Sequence, residues 1–187
     1  MQNLEIEFKS LLSEEEYQRL IRNFNVQSFK TQTNYYFDTI DKKLKSLHFG
    51  LRIRFYENWT EMTLKVPETN GHLEYNVPLD LAAKDFNPKA DYFAGSEIAQ
   101  RLKKEGIKTD ALDCFAHLTT KRAEFEIKEG LLALDESWYD NGHDFEIELE
   151  VENFKNGQAD FQKLLHRNQI IFKAAKNKIE RASSMPS

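Results

Sequence analysis

Charged and apolar residues alternate strictly along residues 145–152, whose sequence is FEIELEVE. Successive side chains of a β-strand point to opposite faces of a sheet, so Glu146, Glu148 and Glu150 share one face and the apolar residues share the other. An acidic row of this kind repels itself by about a few tenths of a kcal/mol per adjacent pair unless positive groups neutralise it. The segment therefore predicts a strand whose charged face meets cations or basic side chains.

Several other segments alternate in the same way and sort their charges by sign. The charged faces are Glu5, Glu7 and Lys9 in residues 4–9, Arg52 and Arg54 in 51–57, Lys65 in 60–66, Glu74 in 72–79 and Arg122 in 121–128. A solvated sheet face is polar without any function, but these faces largely lack the hydroxyl and amide side chains common there. Their apolar faces need covering, so we expect helices outside the sheet and the charges enclosed.

The rest of the chain supplies further strands and the helices that could cover them. Further strands are predicted at 33–38, 112–118 and 131–138, and helices at 13–24, from the Ser96 N-cap to Gly106, and at 158–169. Asn70-Gly71 and Asn141-Gly142 are typical of hairpin turns. We expect an α+β fold, an eight-stranded antiparallel closed β-barrel with a charged interior and helices packed outside, since a barrel of about eight strands can hold one small ligand.

Length and charge limit the classes of protein. The 187 residues suit one domain, 1–187, and the net charge of −5 argues against a nucleic-acid coat or an anionic-membrane binder. The start of the chain lacks a basic leader, and the longest apolar run, 131–134, is too short to span a bilayer. The single cysteine, Cys114, excludes an internal disulfide. We expect a cytoplasmic protein that binds neither nucleic acid nor membrane, while protein partners stay open.

Enclosed charges of both signs indicate a particular kind of ligand. Buried charges are costly unless they are paired or bind something of opposite charge. A polyphosphate chelated to a divalent metal presents oxygens to arginine and lysine and a hard cation to carboxylates. The five histidines show no zinc-binding spacing. The charge pattern thus favours a phosphate-rich small molecule with a metal ion.

Residues Glu5-Ile6-Glu7-Phe8-Lys9 resemble the Glu-x-Glu-x-Lys signature of the CYTH domain, also called the triphosphate tunnel metalloenzyme family. Further motifs match in order: Arg52-x-Arg54, Lys65, Glu74, Arg122, Glu146-x-Glu148-x-Glu150, and the basic residues Lys176, Lys178 and Arg181. Two positions depart from the family pattern, with Thr120 where many members have lysine and Asn76 where a second acid is common. The resemblance implies an eight-stranded tunnel, bound Mg²⁺ or Mn²⁺, and a triphosphate substrate.

The resemblance also implies roles for individual residues. Lys9, Lys65 and Arg54 would be catalytic, and substrate would bind Lys9, Arg52, Arg54, Lys65, Arg122, Lys176, Lys178 and Arg181. Metal would bind Glu5, Glu7, Asp135, Glu146, Glu148 and Glu150. A metal-activated water would remove the terminal phosphoryl group of inorganic tripolyphosphate or of a small organic triphosphate such as thiamine triphosphate.

Three other functions remain open from the sequence. An adenylyl cyclase of the same family would make cyclic AMP from ATP. A polyphosphate- or nucleotide-binding module would bind without turnover. A carrier of apolar ligands would need an apolar barrel interior, which the charged strand faces disfavour.

Overall fold

The computed structural model describes residues 2–140 and 142–183. Its strands are β1 (Gln2–Glu5), β2 (Glu7–Leu12), β3 (Lys30–Thr39), β4 (Gly50–Phe55), β5 (Thr60–Glu68), β6 (Gly71–Leu79), β7 (Leu112–Ile127), β8 (Gly130–Tyr139) and β9 (Gly142–Glu150). Its helices are α1 (Glu14–Asn23), α2 (Lys43–Ser46), α3 (Glu97–Lys104), α4 (Phe154–Arg167) and α5 (Lys178–Ala182). Asn141 of the predicted second turn lies outside the described residues.

The sheet differs from the expected barrel. Its hydrogen-bonded order is β1-β6-β5-β4-β3-β7-β8-β9-β2, which makes nine strands in a sheet that is not closed. The prediction of a closed eight-stranded barrel is therefore wrong in strand number and in closure, although the antiparallel sheet with a few helices is confirmed.

Two strand boundaries differ from those predicted from the sequence. The predicted strand 4–9 is interrupted at Ile6, and the residues on either side form β1 and β2, the two ends of the strand order. The segments 112–118 and 121–128 instead form one continuous strand, β7. Period-2 alternation runs through Ile6 without a break, so the change of pairing partner there leaves no mark in the pattern.

The described chain divides into two compact units. The first contains residues 2–4 and 32–118, and the second contains 5–31, 119–140 and 142–183. Each unit has its own cluster of buried apolar side chains.

In the first unit, one face of β4 and β5 is apolar and lies in the unit's core. Leu51, Ile53 and Leu64 are fully buried there with Ile98 and Leu102 of α3. Ser96 caps α3 as predicted, accepting a hydrogen bond from the Ala99 amide at 3.1 Å. The expectation that helices cover the apolar strand faces is thus confirmed in this unit.

In the second unit, α1 and α4 contribute to the core that contains the apolar face of β8 and β9. Leu134, Ile147 and Leu149 are buried in the same cluster as Tyr17 and Leu20 of α1 and Phe161, Leu164 and Leu165 of α4. The predicted capping box is present, since Ser13 and Glu16 each accept a hydrogen bond from the other's backbone amide. The charged side chains of β8 and β9 therefore lie on the opposite face of these strands.

Among the described residues, none of the helices combines the length and the apolar character needed to cross a membrane.

Candidate functional site

Three buried carboxylates converge in the second unit. Asp135 of β8 lies directly opposite Glu146 of β9, and Glu148 follows two residues later on the same face. Asp135 and Glu146 are inaccessible to solvent, and Glu148 is 8% exposed. One carboxylate oxygen from each lies within 4.8 Å of the others, and this is the only such group among the described residues. We call these three residues the acidic cluster.

The acidic cluster has the donors that a hard divalent cation prefers. Mg²⁺ and similar ions take oxygen ligands, and carboxylates also supply the negative charge that offsets the cost of stripping water from the ion. The group therefore fits a metal ion of the expected class.

Arg122 of β7 binds two members of the acidic cluster. Its Nε and Nη2 donate to the two oxygens of Asp135 at 2.8 and 2.7 Å, and Nη2 also donates to Glu148. Arg122 and Asp135 are direct partners in the β7–β8 register. These two hydrogen bonds fix the orientation of the Asp135 carboxylate.

Two basic residues of the C-terminal helix α5 also reach the cluster. Lys178 Nζ lies 2.9 Å from Asp135 Oδ2 and 2.5 Å from Glu148 Oε1, and it contacts Glu146 as well. Arg181 Nη2 lies 2.7 Å from Glu146 Oε2. The third predicted basic residue of this segment, Lys176, is exposed. The structure thus places Lys178 and Arg181 at the acidic cluster and Lys176 in solvent.

Asp144 and Tyr139 are site neighbours that the sequence reasoning missed. Asp144 lies 3.2 Å from Arg181 and accepts a 2.7 Å hydrogen bond from the Tyr139 hydroxyl. Burial and the Asp144 carboxylate raise the pKa of Tyr139 to about 12. The missed signal was the alternation itself, because Asp144 stands two residues before Glu146 and extends the acidic row.

Among the remaining candidates of this unit, Lys9, Glu7 and Glu150 lie on the paired strands β2 and β9, whereas Glu5 ends β1 at the other end of the strand order. Lys9 of β2 is the register partner of Glu148, and its Nζ lies 2.6 Å from Glu7 Oε1. Glu7 is the register partner of Glu150. Glu5, Glu7 and Glu150 are partly buried and do not belong to the acidic cluster. Lys9 is nevertheless close enough for its charge to favour ionised Glu148.

The two glutamates of the acidic cluster do not ionise alike. Burial raises the pKa of Glu146 to about 7, although Lys178 opposes this effect. Burial would also raise the pKa of Glu148, but the charges of Lys178 and Arg122 outweigh it and hold that pKa well below its usual range. Glu148 is therefore an anion at neutral pH, held by the cations around it.

Arg54 in the first unit is held in place by polar side chains. Its Nε donates to Asn34 Oδ1 and its Nη1 to the Tyr56 hydroxyl, both at 2.9 Å. Glu61, the register partner of Arg54 on β5, lies 3.7 Å from Nη1. Asn34, Tyr56 and Glu61 were not predicted as neighbours, although Tyr56 stands two residues after Arg54 and so shares its strand face.

Lys65 and Arg52 in the first unit both interact electrostatically with one acid, Glu74. Lys65 and Glu74 are register partners whose charged atoms lie 3.0 Å apart. Asn76 donates to Glu74 Oε2 at 3.1 Å. Burial alone would raise the pKa of Glu74, but Lys65 and Arg52 lower it to about 2. Glu74 is thus ionised across the physiological range, and Asn76, where a second acid is common in the family, supports it as a donor.

The other departure from the family pattern also has a structural role. Thr120 is fully buried and its hydroxyl lies 2.9 Å from that of Ser137. The next residue, Lys121, is 42% exposed and lies over the Phe29 ring. A neutral hydroxyl pair therefore stands where many members have lysine.

Comparisons with known proteins confirm the resemblance. The CYTH domain model matches residues 3–183. The chain is 38% identical over 188 residues to YjbK of Bacillus subtilis (strain 168), a protein named as a candidate triphosphatase, and the match covers 96% of this chain and 94% of YjbK.

Solved structures of similar proteins share the fold. A protein of Bacillus halodurans described as a candidate adenylate cyclase is 34% identical with a TM-score of 0.91, covering 98% of this chain and 99% of its own. HpAC1 from Hippeastrum is 26% identical with a TM-score of 0.79, and 98% of each chain is covered. HpAC1 is described as a candidate adenylyl cyclase with a dominant triphosphatase activity.

Proposed function

Because this chain belongs to the CYTH domain family, we propose that it is a hydrolase that removes the terminal phosphoryl group from triphosphate compounds. The observation that carries the proposal is the acidic cluster, three buried carboxylates on one sheet face bound by Arg122. Similarity to YjbK and to HpAC1 supports the same activity. The substrates proposed are inorganic tripolyphosphate and small organic triphosphates such as thiamine triphosphate.

Asp135, Glu146 and Glu148 are the proposed metal ligands, with Mg²⁺ or Mn²⁺ as the ion. Such an ion, when bound, neutralises phosphate charge and activates the attacking water. Glu5, Glu7 and Glu150 remain proposed ligands on the strength of the family resemblance, outside the acidic cluster.

Basic residues of each unit are proposed to bind phosphate oxygens. In the first unit these are Arg52, Arg54 and Lys65; in the second they are Lys9, Arg122, Lys176, Lys178 and Arg181. Arginine suits this role because its planar fork matches two phosphate oxygens, whereas lysine offers a point charge. Asn34 and Tyr56 orient Arg54 before substrate arrives. Lys9, Lys65 and Arg54 are proposed to stabilise the charge that develops during transfer.

An adenylyl cyclase is the second candidate function, favoured by the description of the Bacillus halodurans structure. A cyclase would convert ATP to cyclic AMP and pyrophosphate, whereas a triphosphatase would release phosphate. A binding module without turnover would bind tripolyphosphate and release nothing.

A substrate panel tests the proposal. Purified protein is incubated with tripolyphosphate, thiamine triphosphate or ATP in Mg²⁺ or Mn²⁺, and phosphate and cyclic AMP are measured. We expect phosphate release that Asp135→Asn abolishes and that Glu152→Gln, which changes an exposed acid just after β9, leaves intact. Cyclic AMP without phosphate release would support the cyclase, and binding without either product would support the binding module.

We further propose that the chain acts as a single domain, 1–187, which the match of the family model over residues 3–183 supports. A cytoplasmic location remains a prediction of the sequence.

A further inference from the structure

The ammonium group of Lys178 lies where the three carboxylates of the acidic cluster converge. It is within 2.9 Å of Asp135 and 2.5 Å of Glu148, and it contacts Glu146. The Lys178 side chain is only 14% exposed, and its ammonium group forms ion pairs with all three carboxylates. Lys178 is therefore a positive charge seated in the cluster itself.

We propose that Lys178 competes with the metal for the acidic cluster. Its ammonium group occupies the cluster until a divalent ion displaces it, and this displacement releases α5 from the cluster. This inference rests on the proposed metal site and adds its regulation. A divalent ion about 2.1 Å from carboxylate oxygens needs the space at which Lys178 Nζ now makes its three contacts. Two cations in one such space repel strongly in a poorly solvated site.

Basic side chains already pair with every carboxylate of the acidic cluster without a metal. In the described part of the chain, three basic residues form ion pairs with the three carboxylates: Arg122, Lys178 and Arg181. A divalent ion bound to the same carboxylates would lie beside these basic side chains and repel them. At least one basic side chain must therefore leave for the metal to bind tightly.

Lys178 is the basic residue best able to leave. Arg122 is fixed within β7 and holds Asp135 through two hydrogen bonds. Lys178 is instead the first residue of the five-residue helix α5. A change of its rotamer or a shift of this short helix would therefore move its ammonium group out of the acidic cluster. Arg181 lies three residues later and forms ion pairs with Glu146 and Asp144. The rest of α5 is therefore coupled to the displacement of Lys178.

Displacement would give Lys178 a second role. An ammonium group released from the carboxylates becomes available to phosphate oxygens, for which lysine is a common ligand. Metal binding and triphosphate binding would then favour one another, because each stabilises the state in which Lys178 has left the acidic cluster.

Calorimetry of Mn²⁺ binding without substrate tests the competition. Lys178→Met keeps much of the side-chain length and removes the charge, and Lys176→Met makes the same change at an exposed lysine nearby. We expect K178M to bind Mn²⁺ about tenfold or more tightly than wild type, and K176M to bind like wild type. Equal affinity of K178M and wild type would overturn the competition. If neither protein binds Mn²⁺, the proposed metal site itself fails, and this inference with it.

Hydrogen exchange of the wild-type protein gives a second test that needs no variant. Adding Mn²⁺ should speed exchange of the amides of residues 179–182, whereas the amides of β9 should stay protected. Unchanged or slower exchange in α5 on metal binding would contradict the displacement of Lys178, even where calorimetry shows that metal binds.

Discussion

Arg122 and Asp135 face one another across β7 and β8 and are joined by two parallel hydrogen bonds of 2.8 and 2.7 Å. Asp135 is completely buried, and its charge is compensated by this guanidinium and by the Lys178 ammonium group at 2.9 Å. The pair includes one carboxylate of the acidic cluster, and its loss should affect both folding and metal binding.

Replacing Arg122 should destabilise the protein. Arg122→Ala leaves Asp135 and Glu148 buried without this partner, and breaking a buried pair in this way costs about 3 kcal/mol or more. Urea unfolding should show that loss. Lys121→Ala is the matched control, because Lys121 is 42% exposed and its ion pair with Glu136 is 3.8 Å long; it should change stability by less than about 1 kcal/mol. Similar effects of the two variants would contradict the assignment.

Lys9→Ala and Arg54→Ala should reduce activity far more than stability. Both positively charged side chains are partly accessible, at 20% and 11%, and each has polar or acidic neighbours rather than a place in the apolar core. We expect kcat/KM for the best triphosphate to fall by about a hundredfold or more, because each variant loses a contact that stabilises the transition state. For Lys9→Ala, whose ion pair with Glu7 is partly exposed, the free energy of unfolding should change by about 1 kcal/mol or less. Wild-type kcat/KM in these variants would mean that the residues were misassigned.

Glu74 should make stability depend on pH in the acid range. Its pKa is about 2 in the folded protein against an ordinary 4.5, so its contribution is complete above the ordinary value and is lost as pH falls from there through about 2. The contribution amounts to about 3 kcal/mol at most. The stability advantage of wild type over Glu74→Gln should therefore be constant above about pH 5 and shrink as the pH falls from about 4.5 towards about 2.

Urea unfolding at several pH values measures this difference. Glu68→Gln, at an exposed acid on β5, is the control and should show no comparable change with pH. A constant difference between wild type and E74Q across the range would show that the ion pairs of Glu74 do not stabilise the fold.

Gly157 should not tolerate a methyl group, although it lies in a helix. An added Cβ would stand 2.4 Å from Val151 Cγ2 and 3.0 Å from a Phe8 ring carbon. Gly→Ala inside a helix ordinarily stabilises by about 1 kcal/mol, but here we expect a loss of about 1–3 kcal/mol from overpacking. Thermal unfolding should show a lower Tm for G157A. Gln158→Ala, at the exposed neighbouring position, should leave Tm unchanged or raise it slightly.

Much of the local structure could be predicted from the sequence. The Ser13–Glu16 capping box, the Ser96 cap and most strands follow from short-range signals that act between neighbours along the chain. Strand pairing was harder to predict. The interruption at Ile6 and the joining of 112–118 with 121–128 into β7 depend on which strands supply the hydrogen bonds, and alternation is the same in either arrangement.

The candidate site also combines features that the sequence predicts with features that only the tertiary structure defines. The sequence by itself determined which residues carry charge, which of them share a strand face, and that an acidic row needs cations opposite, because two-residue periodicity and charge repulsion act locally. Only the tertiary structure decided that Asp135, Glu146 and Glu148 meet, and that Lys178 from the distant C-terminal helix lies among them rather than in solvent like Lys176. The physical reason is that register and helix docking are set by hydrogen bonds and packing between segments far apart in the chain, which no local pattern records.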